Sequence, residues 1–138
     1  MADEIKKALL ASIEKSKEDV KKQVETIAQN FFEDVIQGSP VQKGDLVANW
    51  NAATNAFDVS INQITTNQFA KVNEAGAKGA AIAKMKASIS WKDIKGDGDY
   101  FSLTNATPYA YRAEMLGWAG TPAYGMVSKA LVRLGSQK

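Results

Sequence analysis

The sequence predicts an α+β fold, with a long N-terminal helix packed on a small antiparallel sheet and further short helices, and three observations predict it. Apolar residues recur at helical spacing through the first 37 residues. Short β-prone stretches lie between turn-forming clusters in the middle of the chain, and two more helical patterns close it. At 138 residues the chain suits a single domain over 1–138, divided into a long helix over 1–37 and an α+β body over 38–138.

The helix is read from Ile5, Leu9 and Ile13, then Val20, Val24, Ile27, Phe31 and Val35, with Lys and Glu on the remaining surface. No Pro or Gly interrupts it before Gly38, which stands where a stop is expected, and Pro40 follows. At 1.5 Å per residue it would run roughly 50 Å, more than so small a body covers. Part of its stripe is therefore expected on the body, and its first turns are expected either to project toward a neighbouring subunit or to fray.

After a loop through Ser39-Pro40-Val41 and Lys43-Gly44-Asp45, Trp50 bounds a strand, and Phe57, Val59 and Ile61 alternate with Asp58, Ser60 and Asn62 as a half-buried strand does. Ala53 to Ala56 is the expected hairpin turn between them. Thr65 or Thr66 caps a second helix that runs through Phe69 and Val72 into the small residues of 75–83, weakened by Gly76 and Gly79. Ile89, Trp91 and Tyr100 to Thr104, around the turn at 96–99, read as a second hairpin over 87–105. Thr107-Pro108 opens a short helix to Leu116, ended by Gly117, and Met126, Val127, Ala130, Leu131 and Leu134 form the last one.

Composition narrows the chemistry. The chain has no Cys and no His, so it offers no disulfide, no thiolate nucleophile and no imidazole for proton transfer or metal binding. No catalytic residue, cofactor or metal site is expected. Asp97 and Asp99 lack the ligand series of a calcium loop and read as turn chemistry. Neither a signal-peptide run nor a membrane-length apolar window is present, so no membrane partner is expected.

Charge is uneven. Residues 1–37 carry six lysines against eight acids, whereas residues 71–95 carry six lysines against Glu74 and Asp93. That basic window contains Gly76-Ala77-Lys78-Gly79, which matches the G-x-x-G core of the backbone-clamping loop of K-homology modules. A small nucleic-acid-binding module using the Gly76–Gly79 loop and the window 71–95 is thus the alternative reading, beside a plain small-residue packing surface. Six aromatic residues fall between Tyr100 and Tyr124, which fits core packing or interface anchors.

Two separated segments resemble one family. Ser39-Pro40-Val41, Gly44, Leu46, Asn49 and Trp50 resemble the block (T/S)-P-V-x-x-G-x-L-x-x-(S/N)-W that follows the first helix in the tail-completion, or neck, proteins of tailed bacteriophages. Thr104 to Glu114, with Asn105, Tyr109, Ala110 and Glu114, is similar to that family's second block, with Gly117 nearby. The resemblance implies a non-enzymatic structural virion protein, a head-tail connector subunit assembled as a homo-oligomeric ring, usually a hexamer. Its implied partners are neighbouring connector or head-closure proteins and tail-terminator or tail-tube proteins. It is made in the host bacterial cytoplasm and located in the virion neck.

On this reading Pro40 and Gly44 set the backbone, and Leu46, Trp50 and Tyr109 position recognition loops. Tyr111, Arg112, Glu114 and Trp118 are the expected subunit contacts. Lys78, Lys84 and Lys86 are expected either to line a DNA channel or to dock on an acidic neighbouring ring.

Overall fold

A computed structural model of the chain describes residues 2–39, 45–61, 74–107, 110–117 and 124–136. Within them the fold is α+β, as its sequence predicts. The elements are α1 (Ala2–Gln37), α2 (Asp45–Ala48), β1 (Asn51–Thr54), α3 (Glu74–Ser88), a 3-10 turn (Trp91–Asp93), β2 (Phe101–Thr104), α4 (Ala110–Leu116) and α5 (Val127–Ser136).

The 36 residues of α1 form one uninterrupted helix, about 54 Å long at 1.5 Å per residue. Asp3 and Glu4 sit in its first turn, where the helix dipole favours negative charge. Its last turn contains no basic residue of its own. The compensation comes from another element: Lys78 of α3 donates from Nζ to the Gln37 carbonyl at 2.6 Å, placing a cation at the negative end of the dipole. Gly38 then permits a close crossing. A Cβ there would stand 2.5 Å from the Gly125 carbonyl oxygen just ahead of α5, so the glycine is needed for helix approach as well as for the stop.

The sheet has two antiparallel strands, with Asn51 opposite Thr104 and Thr54 opposite Phe101. Its strands come from the two regions that were each expected to form a local hairpin. Residues 57–61 are not a strand, although their alternation is real: Phe57, Val59 and Ile61 are exposed. Ala53 and Thr54, the first half of the expected turn, join the ladder with Asn51 and Ala52 instead, because long-range pairing with β2 outweighs the weak β propensity of the alanines. Asn55 then turns the chain in the left-handed region (φ 58°), its side chain accepting from the Tyr100 amide at 3.0 Å.

Around Ile89 and Trp91 the expected strand is also absent. Ser90 caps the 3-10 turn there, its side chain accepting from the Lys92 amide. The part of the second helix before Glu74 lies outside the described residues. Gly117, at φ 83°, follows α4 as the expected glycine stop, and α5 continues through Gly135 to Ser136.

The core gathers Phe32, Val35 and Ile36 of α1 with Val47, Trp50, Met85, Ala113, Met126 and Ala130. The main packing of α1 is against α3, α5 and the 3-10 turn, and α3 lies against β1. Ala77, Ala81 and Met85 recur at four-residue steps on the buried side of α3, where small side chains let helices approach. Gly79 does not contribute to that approach, since a Cβ on it would meet nothing within 4 Å.

Candidate assembly surface

Body and projection divide at about residue 21 of α1. Residues 2–20 are all exposed, about 28 Å of helix. The cover begins with two contacts to the 3-10 turn: Glu25 accepts from the Trp91 amide at 2.6 Å, and the Lys22 ammonium stands 5.1 Å from the centre of the Trp91 ring. Such a projection holds its helix because the packed end supplies the nucleus, and propagation from a formed turn is cheap.

The apolar stripe of α1 meets the body only at its C-terminal end, at Phe31 and Val35. Ile5, Leu9, Ile13, Val20, Val24 and Ile27 are 43–63% exposed, whereas Phe32, Val35 and Ile36 are at most 6% exposed. At 100° per residue the exposed set is centred roughly 110° around the helix from the buried set with Ala28. Part of the expected stripe does lie on the body, since Val35 is buried and Phe31 packs against the core, whereas Val20, Val24 and Ile27 stay exposed. The helix has two apolar faces, and the body uses the shorter one.

The two segments that carry the family resemblance meet in space. Asn105 donates from Nδ2 to the Leu46 carbonyl at 2.7 Å, while its Oδ1 accepts from the Thr107 amide and hydroxyl at 3.1 and 2.6 Å. Trp50 is buried and donates from Nε1 to Ser39 Oγ at 2.8 Å, and that hydroxyl donates to the Val35 carbonyl at 2.9 Å. This relay fastens the chain after α1 to the helix end with every polar atom satisfied. Leu46 is buried beside it, so Leu46 and Trp50 act as framework.

Glu114 also serves the framework. Its carboxylate accepts from the Val127 amide at 2.8 Å, the Ser128 amide at 3.0 Å and the Ser128 hydroxyl at 2.9 Å, capping the N-terminus of α5 from a different helix. Burial raises its pKa, but the hydrogen bonds from Ser128, Val127 and Met126 outweigh that and hold it below the ordinary value of 4.5. The side chain expected at a subunit contact is thus turned inward. Tyr111, by contrast, is 74% exposed, and Leu116 beside it is 72% exposed. Arg112 lies on α4, but its side chain, like Pro40, Gly44, Tyr109 and Trp118, is outside the described residues.

The basic window has structural work that its charge does not announce. Lys78 caps α1, and Lys84 donates from Nζ to the Ala48 carbonyl at the end of α2 (3.2 Å) and to Asn51 Oδ1 (2.7 Å). Lys86 is exposed and has no hydrogen bond or ion pair with the described residues. Gly76 to Gly79 lie inside α3, so the loop that a K-homology clamp requires is replaced by helix.

An open cleft of about 610 Å³ is lined by Thr54, Asn55, Ser88, Asp93, Lys95 and Asp99 among others. The Asp99 carboxylate there is engaged: Oδ2 accepts from the Lys95 and Gly96 amides at 2.6 and 3.0 Å, and Oδ1 from Asn55 Nδ2 at 3.1 Å. Those backbone bonds lower its pKa, as a closed Asp turn does. Among the described residues no group of three potential ligands could hold a metal ion, and no helix is long and apolar enough to cross a membrane.

The residues that sequence reasoning missed are Ser39 and Asn105, which fasten the framework, and Leu10, which widens the exposed stripe. Ser39 and Asn105 lie inside the two resembling blocks, which was the available signal. No family model, curated protein or solved structure matches this chain.

Proposed function

We propose that the chain is a non-enzymatic structural subunit of a tailed-phage virion, a tail-completion or neck protein that forms a ring joining the head connector to the tail. Tail-terminator and head-closure layers are its near neighbours. The observation that carries this reading is α1: a helix extending well beyond its body with an apolar stripe in water. A monomer has no use for such a surface, and a subunit completed by its neighbours does. The contact between the two resembling segments through Asn105 and Leu46 supports the resemblance, since both belong to one framework.

The mechanism is differential binding. Subunits that associate weakly in dilute solution are collected by a preformed connector or tail end, which favours the arrangement in which their apolar faces are covered. Removing the gene from the phage is expected to leave filled heads and separate tails, and the chain is expected in purified virions by mass spectrometry. Intact infectious particles without the chain would overturn the reading.

A further inference from the structure

We propose that the apolar stripe of α1 is covered by α1 of neighbouring copies of this chain, the helices running in the same direction in a parallel bundle. The inference deepens the ring reading and rests on it for one point, the common direction. Subunits related by rotation about a ring axis present equivalent helices in the same sense.

The remaining support comes from the helix itself. Ile5 to Ile27 spans about 33 Å, a length that another helix of this kind matches and that the short strands and helices of the body do not. Leu9, Ile13, Ser16, Val20, Gln23 and Ile27 follow the alternating four- and three-residue steps of a heptad seam, with β-branched residues at the a positions 13, 20 and 27 and Lys6 at the a position before them. Leu10 and Val24 occupy e positions, and Ile5 a g position, which widens the apolar surface to about 140°. A face that broad touches a neighbour on both sides.

Charge does not set the direction. In a parallel, in-register pair the g and e positions bring Ile5 to Leu10, Ser12 to Lys17 and Asp19 to Val24, with one like-charge pair, Lys6 against Lys6 of the second copy, at the first a position. An antiparallel pair aligned over the same stripe brings Lys17 against Lys17 of the second copy. Seven exposed residues at roughly 100 Å² each give about 700 Å² per chain, divided between two neighbours, so each contact buries about 700 Å² in total, the size of a weak contact that a preformed connector completes.

The absence of Cys makes the test clean, because an introduced thiol is the sole site for a short bis-maleimide. Val20→Cys lies in the stripe, and Glu18→Cys on the opposite side of the same exposed turn serves as control. In the full-length chain at concentrations where it associates, Val20→Cys is expected to give cross-linked dimer, several-fold more than Glu18→Cys. An unchanged circular-dichroism melt of both variants establishes that they fold. Equal cross-linking of the two variants, or a chain that stays monomeric at the highest soluble concentration, overturns the proposal. So does preferential cross-linking of Leu9→Cys to Ile27→Cys in a mixture, which reports opposed helices. Stripe-specific cross-linking in a chain missing from virions leaves the bundle standing and removes the neck reading; a virion that needs the chain but shows no stripe-specific cross-link does the reverse.

Discussion

The two stretches of α1 both carry apolar residues at helical spacing, in opposite circumstances. From about residue 28 onward, Phe32, Val35 and Ile36 are enclosed by α3, α5 and the segment around Trp50. From residue 2 to residue 20, equally apolar residues at equally regular spacing meet only water. Hydrophobic periodicity therefore specifies a helix without specifying what covers it. Between the stretches the centre of the apolar surface shifts around the helix, so most of the uncovered stripe lies off the face that the body uses.

The largest test of that division exchanges one isoleucine in each stretch. Ile36→Ala is expected to destabilise the body by about 2–5 kcal/mol in denaturant unfolding, since the residue is fully enclosed and leaves a cavity. Ile13→Ala in dilute protein is expected to change stability by no more than about 0.5 kcal/mol. A loss at Ile13 near that at Ile36 would mean that the stripe is covered within the monomer.

A smaller effect sharpens the boundary on the body side. Glu114→Gln removes the charge from the α5 cap while keeping a hydrogen-bonding group, and a cost of about 1 kcal/mol is expected at neutral pH. Because the folded pKa of Glu114 lies below its ordinary 4.5, its ionised form stabilises the fold fully above that value. The contribution is lost as the pH falls through the folded pKa. Urea titrations of the two proteins should thus differ at pH 7 and converge at lower pH, and a gap that widens on acidification would contradict the cap.

The smallest expected effect is that of deleting residues 2–19. The body contacts begin beyond them, so the unfolding midpoint at low concentration should barely move, while association measured by sedimentation is lost. A large fall in the midpoint would place these residues in the fold.

Much of the architecture is readable from local pattern because helices are local objects. Ile5 to Val35 specifies α1, Gly38 marks its end, and Thr107 and Gly117 bracket α4. The sheet is not readable in this way. Its two strands pair across nearly fifty residues, Ala52 and Ala53 carry no β-branched signal, and Phe57, Val59 and Ile61 carry that signal without joining a ladder. The surface residues divide likewise. Tyr111 is exposed where an interface residue is expected, but Glu114, Lys78 and Lys84 are engaged by helix ends that only the tertiary structure brings to them. A charge on a sequence has no address until the carbonyl or amide that captures it is known.

The anchoring of α1 at one end also grades its kinetics. Amide hydrogens over residues 21–37 exchange only when the body opens, whereas those toward Ala2 open by fraying and exchange in order of their distance from the Trp91 contact. The helix is a zipper with one closed end. Once neighbouring copies cover it, that gradient flattens, so the amides of the first five turns record whether a given molecule is alone or assembled.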